Sequence, residues 1–95
     1  MRLKVKIMAL IKEEQLRKNF ACNMRYLRLM QKPRMTQASL AKKLGVTRKS
    51  IHRYETAACL PPIHILMTMA EYFGYTVDEL LDSRLPAKKG LKNNE

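Results

Sequence analysis

From residue 15 onward, apolar and polar positions follow helical spacing. Leu16, Phe20, Asn23 or Met24, Leu27 and Met30 fall alternately four and three residues apart, which places one face of a helix over residues 15–30 against a core. Pro33 prevents continuation, since proline has no N–H and clashes with the preceding turn. Leu40, Ala41 and Leu44 make the apolar side of a second, shorter helix. Thr36 is placed to cap its start by accepting from a free N–H, and Gly45 to end it with a positive φ. Val46 plugs the corner, Thr47 is another N-cap, and Ile51 with Tyr54 forms the buried side of a third helix over residues 47–56. A fourth helix opens at Pro61-Pro62, presents Ile63, Leu66, Met67, Ala70 and Phe73, and stops at Gly74. Thr76-Val77-Asp78-Glu79 reads as a capping box for a fifth, whose Val77, Leu80 and Leu81 close the core.

The first dozen residues are ambiguous by periodicity. Leu3, Val5 and Ile7 alternate with Arg2, Lys4 and Lys6 as in a strand, while Ile7, Leu10 and Ile11 equally suit a helix. A strand here would need a partner such as its own symmetry mate, because an unpaired edge is unfavourable in an otherwise helical domain. The expected organisation is an all-α, five-helix domain over residues 15–82, preceded by an extension over 1–14 and followed by a basic, flexible tail over 83–95.

Chemistry concentrates in the second and third helices. Arg48, Lys49, His52, Arg53 and Thr56 fall at i, i+1, i+4, i+5 and i+8, so they share one exposed stripe that no acid interrupts. Ala41 is small where two steeply crossing helices must approach closely. Two capped helices around a glycine turn, the second with a basic face, form the pattern that lays a helix in the major groove of DNA.

On these residues the chain resembles the lambda-repressor and Cro-like, or XRE, family of helix-turn-helix proteins, over about residues 18–82. Thr36-Gln37, Leu40-Ala41, Leu44-Gly45-Val46, Ile51, Tyr54-Glu55 and Pro61 stand in the family's order and nearly its spacing. The resemblance implies that Gln37 contacts a phosphate and that Arg48, Lys49 and, a turn later, Arg53 read bases. His52 would face a phosphate or base edge rather than a metal, with the hydroxyls of Thr36, Thr47, Ser50 and Thr56 as further contacts of that kind. Glu55 would pair with a basic residue of the first helix, for which Arg28 is the candidate.

The chain departs from the family in two places. Where the family has glycine two residues after the acid, this chain has Ala57, and the cost of a left-handed alanine, about 1 kcal/mol, predicts that the third helix runs on instead. Basic residues usual just beyond are missing, and the link over residues 30–35 is about two residues longer. Lys32 and Arg34 could supply the lost phosphate contacts from that link.

Charge sharpens the picture. The 95 residues carry a net charge of +11, unevenly spread. Residues 1–34 hold ten Lys or Arg against two acids, and residues 36–60 hold five against one, whereas residues 61–82 hold none against four. A basic side that includes the third helix suits a polyanion, and without a broad aromatic face on a basic amphipathic helix nucleic acid fits better than a membrane surface. Cys22 and Cys59 lack metal-ligand spacing and read as reduced, semi-buried residues, and the seven methionines as core filler. Neither a metal nor another cofactor is expected. The run Ile7-Met8-Ala9-Leu10-Ile11 is too short to span a membrane. Glu13 and Glu14 are adjacent on a solvated stretch, and no nucleophile sits beside a base, so no catalytic constellation emerges.

The expected function is that of a cytoplasmic, nucleoid-associated regulator of bacterial or phage type, a repressor, binding double-stranded DNA as a homodimer on a pseudo-palindromic operator. Alternatives are an antitoxin that represses its own operon while binding a toxin, and a protein-interaction module that kept the fold and lost DNA binding.

Overall fold

The computed structural model describes the backbone of residues 2–85 and the side chains of Leu10 and of residues 12–85. Among the described residues stand five helices, α1 (Arg2–Leu29), α2 (Gln37–Leu44), α3 (Arg48–Glu55), α4 (Ile63–Phe73) and α5 (Val77–Asp82). The described residues contain no strand.

The N-terminal extension is therefore helix, continuous with α1. A helix satisfies its backbone groups internally, whereas a lone strand cannot. The junction is supported by two exposed pairs at i,i+4, Glu13 with Arg17 at 3.0 Å and Glu14 with Lys18 at 2.9 Å, the acid preceding the base as the helix favours. The hydrogen bond and charge of Lys18 hold the Glu14 carboxyl below its ordinary pKa. At the other end α1 stops at Leu29, and Met30, expected on the apolar face, is exposed. The side chains of Leu3, Val5 and Ile7, whose alternation with basic residues suggested a strand, lie outside the described residues.

The core is built by all five helices. Phe20, Met24 and Leu27 of α1 meet Leu40, Ala41 and Leu44 of α2, Ile51 and Tyr54 of α3, Leu66, Met69 and Ala70 of α4, and Leu80 of α5. Phe20 and Tyr54 pack edge to face with ring centroids 6.5 Å apart, a geometry that contributes about 0.5–1.5 kcal/mol beyond area burial. Cys22 and Cys59 are free and half-buried.

Three expectations need correction. The buried face of α4 comprises Leu66, Met69 and Ala70, with Ile65 and Phe73 half-buried, while Ile63 and Met67 are 66% and 57% exposed. The opening turns of α4 are apolar nearly all round, so their period leaves the rotation undetermined. Secondly, α3 does not run on: Ala57 takes φ 64° and reverses the chain. The Ala57 N–H donates to the Tyr54 carbonyl at 3.3 Å and that of Ala58 to the Arg53 carbonyl at 3.0 Å, which satisfies the helix end and turns Leu60 and Pro61 onto the core.

The third correction concerns the end of the domain, which extends past residue 82. Leu85 is buried in the core, and its N–H donates to Asn23 Oδ1 at 2.7 Å. The Asn23 amide in turn donates to the carbonyls of Leu80, at 2.7 Å, and Ser83, at 2.9 Å. Asn19 adds a bond to the Leu81 carbonyl at 2.9 Å. Two asparagines of α1 thus replace the partners that the C-terminal carbonyls of α5 lack. The rest of the expected tail, 86–95, lies outside the described residues.

Candidate nucleic-acid interface

The corner between α2 and α3 is set by local chemistry. Thr36 Oγ1 accepts from the Ser39 N–H at 3.0 Å, and Thr47 Oγ1 from the Ser50 N–H at 3.1 Å, so each helix starts at a capped threonine. Gly45 takes φ 72°, with its N–H turned back to the carbonyls of Ala41 and Lys42. The Val46 N–H follows to the Ala41 carbonyl at 3.0 Å, and the Val46 side chain packs at the edge of the core. With Ile51 and Tyr54 buried, the opposite side of α3 faces solvent.

On that side Arg48, Lys49, His52 and Arg53 are all exposed, and none makes an ion pair among the described residues. The acid of the same helix points the other way. The Glu55 side chain is only 4% exposed and accepts from Arg28 Nε at 2.7 Å, Arg28 Nη2 at 2.9 Å and Gln37 Nε2 at 3.1 Å. Arg28 Nη1 donates onward to the Met35 carbonyl at 2.8 Å. A bidentate, charge-assisted pair of this kind fixes geometry, and here it fixes the end of α3 against α1 and the α1–α2 connection. It also removes the one negative charge from beside the basic stripe.

Gln37 is the link that residue spacing did not suggest. Besides donating to Glu55, its Oε1 accepts from Arg48 Nη1 at 3.5 Å, so a chain of contacts runs Arg28, Glu55, Gln37, Arg48 across three helices. The position of Gln37 at the first residue of α2 was legible; its partner eighteen positions later was not. The other polar candidates divide into committed and free groups. Thr47 Oγ1 also donates to Ser50 Oγ at 2.9 Å, and Thr56 Oγ1 donates to the Arg53 carbonyl at 3.2 Å, so these hydroxyls serve the ends of α3. Thr36 is exposed at the start of α2, beside first-turn N–H groups that attract anions. Lys32 and Arg34 stand exposed on the α1–α2 connection. Lys43, which residue patterning passed over, faces them from α2 across a shallow cavity.

The surface beyond α3 contrasts with this one: from residue 61 to 82 the charged groups are all acidic. No group of three or more His, Cys, Asp or Glu among the described residues could hold a metal ion. No described helix is long and apolar enough to cross a membrane.

Two capped helices joined by a left-handed glycine, with an unpaired basic face on the second and its acid locked inward, define a DNA-binding helix-turn-helix domain. The family model described as helix-turn-helix matches residues 24–80, and the chain belongs to this family, of the XRE type. Among curated proteins and among solved structures nothing matches the chain significantly.

Proposed function

We propose that the protein is a sequence-specific transcriptional regulator, acting as a repressor, that inserts α3 into the major groove. Arg48, Lys49 and Arg53 read bases, with guanine O6 and N7 as their preferred partners. His52 reaches a phosphate or a base edge. Thr36, Gln37 and the first-turn N–H groups of α2 set the register on the backbone, with Lys32 and Arg34 contributing from the connection. The observation that carries this reading is the arrangement of α3: four basic side chains exposed and unpaired, beside a carboxylate buried in a bidentate pair. Charges left without an ion pair on a helix held this rigidly are available to a polyanion without first breaking a salt bridge.

A single short reading helix seldom gives selectivity alone, and a homodimer on a pseudo-palindromic site doubles its contacts. We assign the dimer contact to the N-terminal part of α1, which projects ahead of the first core residue, Phe20, and whose Leu10 is 66% exposed. Repression would follow from occupancy of the operator. Selection of bound sequences from a random duplex pool tests the whole reading. The expected product is a two-fold symmetric site with at least one guanine in each half; recovery of no enriched sequence would overturn the base-reading role of α3.

A further inference from the structure

A cavity of about 300 Å³ lies on the outer side of α2, between the α1–α2 connection and the end of α4. Lys32 and Arg34 line it from the connection, Ser39 and Lys43 from α2, and Tyr72 from α4. Ser39 and Lys43 are one helical turn apart and so share a face. Met35 forms the apolar floor, with its sulfur 3.9 Å from the Tyr72 hydroxyl. No carboxylate lines the cavity, and none of the three cations has an ion-pair partner among the described residues.

Three like charges drawn to one concavity repel one another unless an anion lies between them. The dipole of α2 favours Lys43 in its last turn, which accounts for that residue alone and not for the presence of Lys32 and Arg34 on the same cavity. We propose that this cavity is a phosphate site, separate from the basic stripe of α3. Arg34 presents the fork that pairs with two phosphate oxygens, Lys32 and Lys43 supply point charges, and the Ser39 hydroxyl donates to a remaining oxygen. The phosphate is either a diester of the DNA backbone outside the half-site or that of a free phosphorylated molecule. Only the first source rests on the DNA-binding reading above.

Two measurements on the full chain test this. In the first, amide shifts are followed as inorganic phosphate is added at constant ionic strength. Saturable shifts at residues 32, 34, 35, 39 and 43 are expected, and their loss in the Arg34→Gln, Lys43→Gln double variant. In the second, the salt dependence of binding is compared on a duplex ending at the half-site and on one with half a turn more of flanking DNA. If the DNA backbone fills the site, the double variant lowers the slope of log K against log salt by about one on the longer duplex only. Saturable phosphate shifts with equal slopes on both duplexes assign the site to a free phosphorylated molecule. Lys32→Gln, placed on the connection, repeats both measurements without altering a helix. Absence of saturable shifts together with unchanged slopes overturns the proposal. Failure of the wild-type chain to prefer any DNA sequence would count against base reading by α3 and leave the phosphate titration to decide this site on its own.

Discussion

Glu55 lies on α3 beside the basic stripe, yet its carboxylate is engaged by Arg28 and Gln37, and this is what leaves the neighbouring cations uncompensated. In the proposed reading, Arg48 and Lys49, at the capped start of α3, have the most direct access to base edges. Changing either to Ala should cost about 1–3 kcal/mol on the preferred operator and much less on unrelated DNA, measured by equilibrium titration at fixed salt. Equal losses on both DNAs would reduce these residues to phosphate contacts. A second residue-scale effect concerns stability. Ala57 sits at φ 64°, where an L side chain is strained and glycine is not. Ala57→Gly should therefore stabilise the fold by about 1 kcal/mol, raising Tm by roughly 4–8 °C for a domain of this size. A thermal melt showing no rise would mean that the alanine is relaxed in its turn.

The elements legible in the sequence are those whose limits are local. Thr36, Thr47 and Thr76 cap within three residues of themselves, and Gly45 and Gly74 need only their own positive φ, so five of the helix starts and stops were written in short segments. The stripe on α3 was legible for the same reason, because spacing alone puts Arg48, Lys49, His52 and Arg53 together. What stayed hidden depends on distant partners. The rotation of α4 is chosen by the surface it meets, since Ile63 and Met67 are as apolar as the residues that are buried. The strain at Ala57 is offset by packing of Leu60 and Pro61 beyond it, which no local propensity reveals. Asn23 looked like a weak place in an apolar face, yet it bonds to three groups at the end of α5, more than fifty residues away. Asn23→Ala should leave the Leu85 N–H and the Leu80 carbonyl buried without partners, costing about 1–3 kcal/mol for each group so stranded. Urea unfolding of the variant measures this loss; a midpoint equal to that of the native chain would show that water replaces the asparagine.

Across the whole molecule, charge and shape run in opposite senses. Seven Lys or Arg stand between residues 32 and 53 on the α1–α2 connection, α2 and α3, four acids stand on α4 and α5, and α1 begins at Arg2, eighteen residues before its first apolar core residue, Phe20. From Arg2 to Gln15, at 1.5 Å per residue, α1 runs for about twenty ångströms. An isolated helical stretch of that length is marginal in water, so it is most stable when it finds a partner. On the two-fold symmetric operator proposed above, a second copy of the same stretch would be that partner. A chain beginning at Glu13 should still fold, because Phe20, Met24, Leu27 and the Asn19 and Asn23 contacts to α5 all lie beyond the cut. It should dissociate more readily than the full chain and bind a palindrome more weakly, while its affinity for a single half-site changes little. Sedimentation of both chains at matched concentration reads the first effect, and titration of one-site and two-site duplexes reads the second. An undiminished dimer in the shortened chain would move the interface to α4, where Ile63 and Met67 are the exposed apolar residues left to form it.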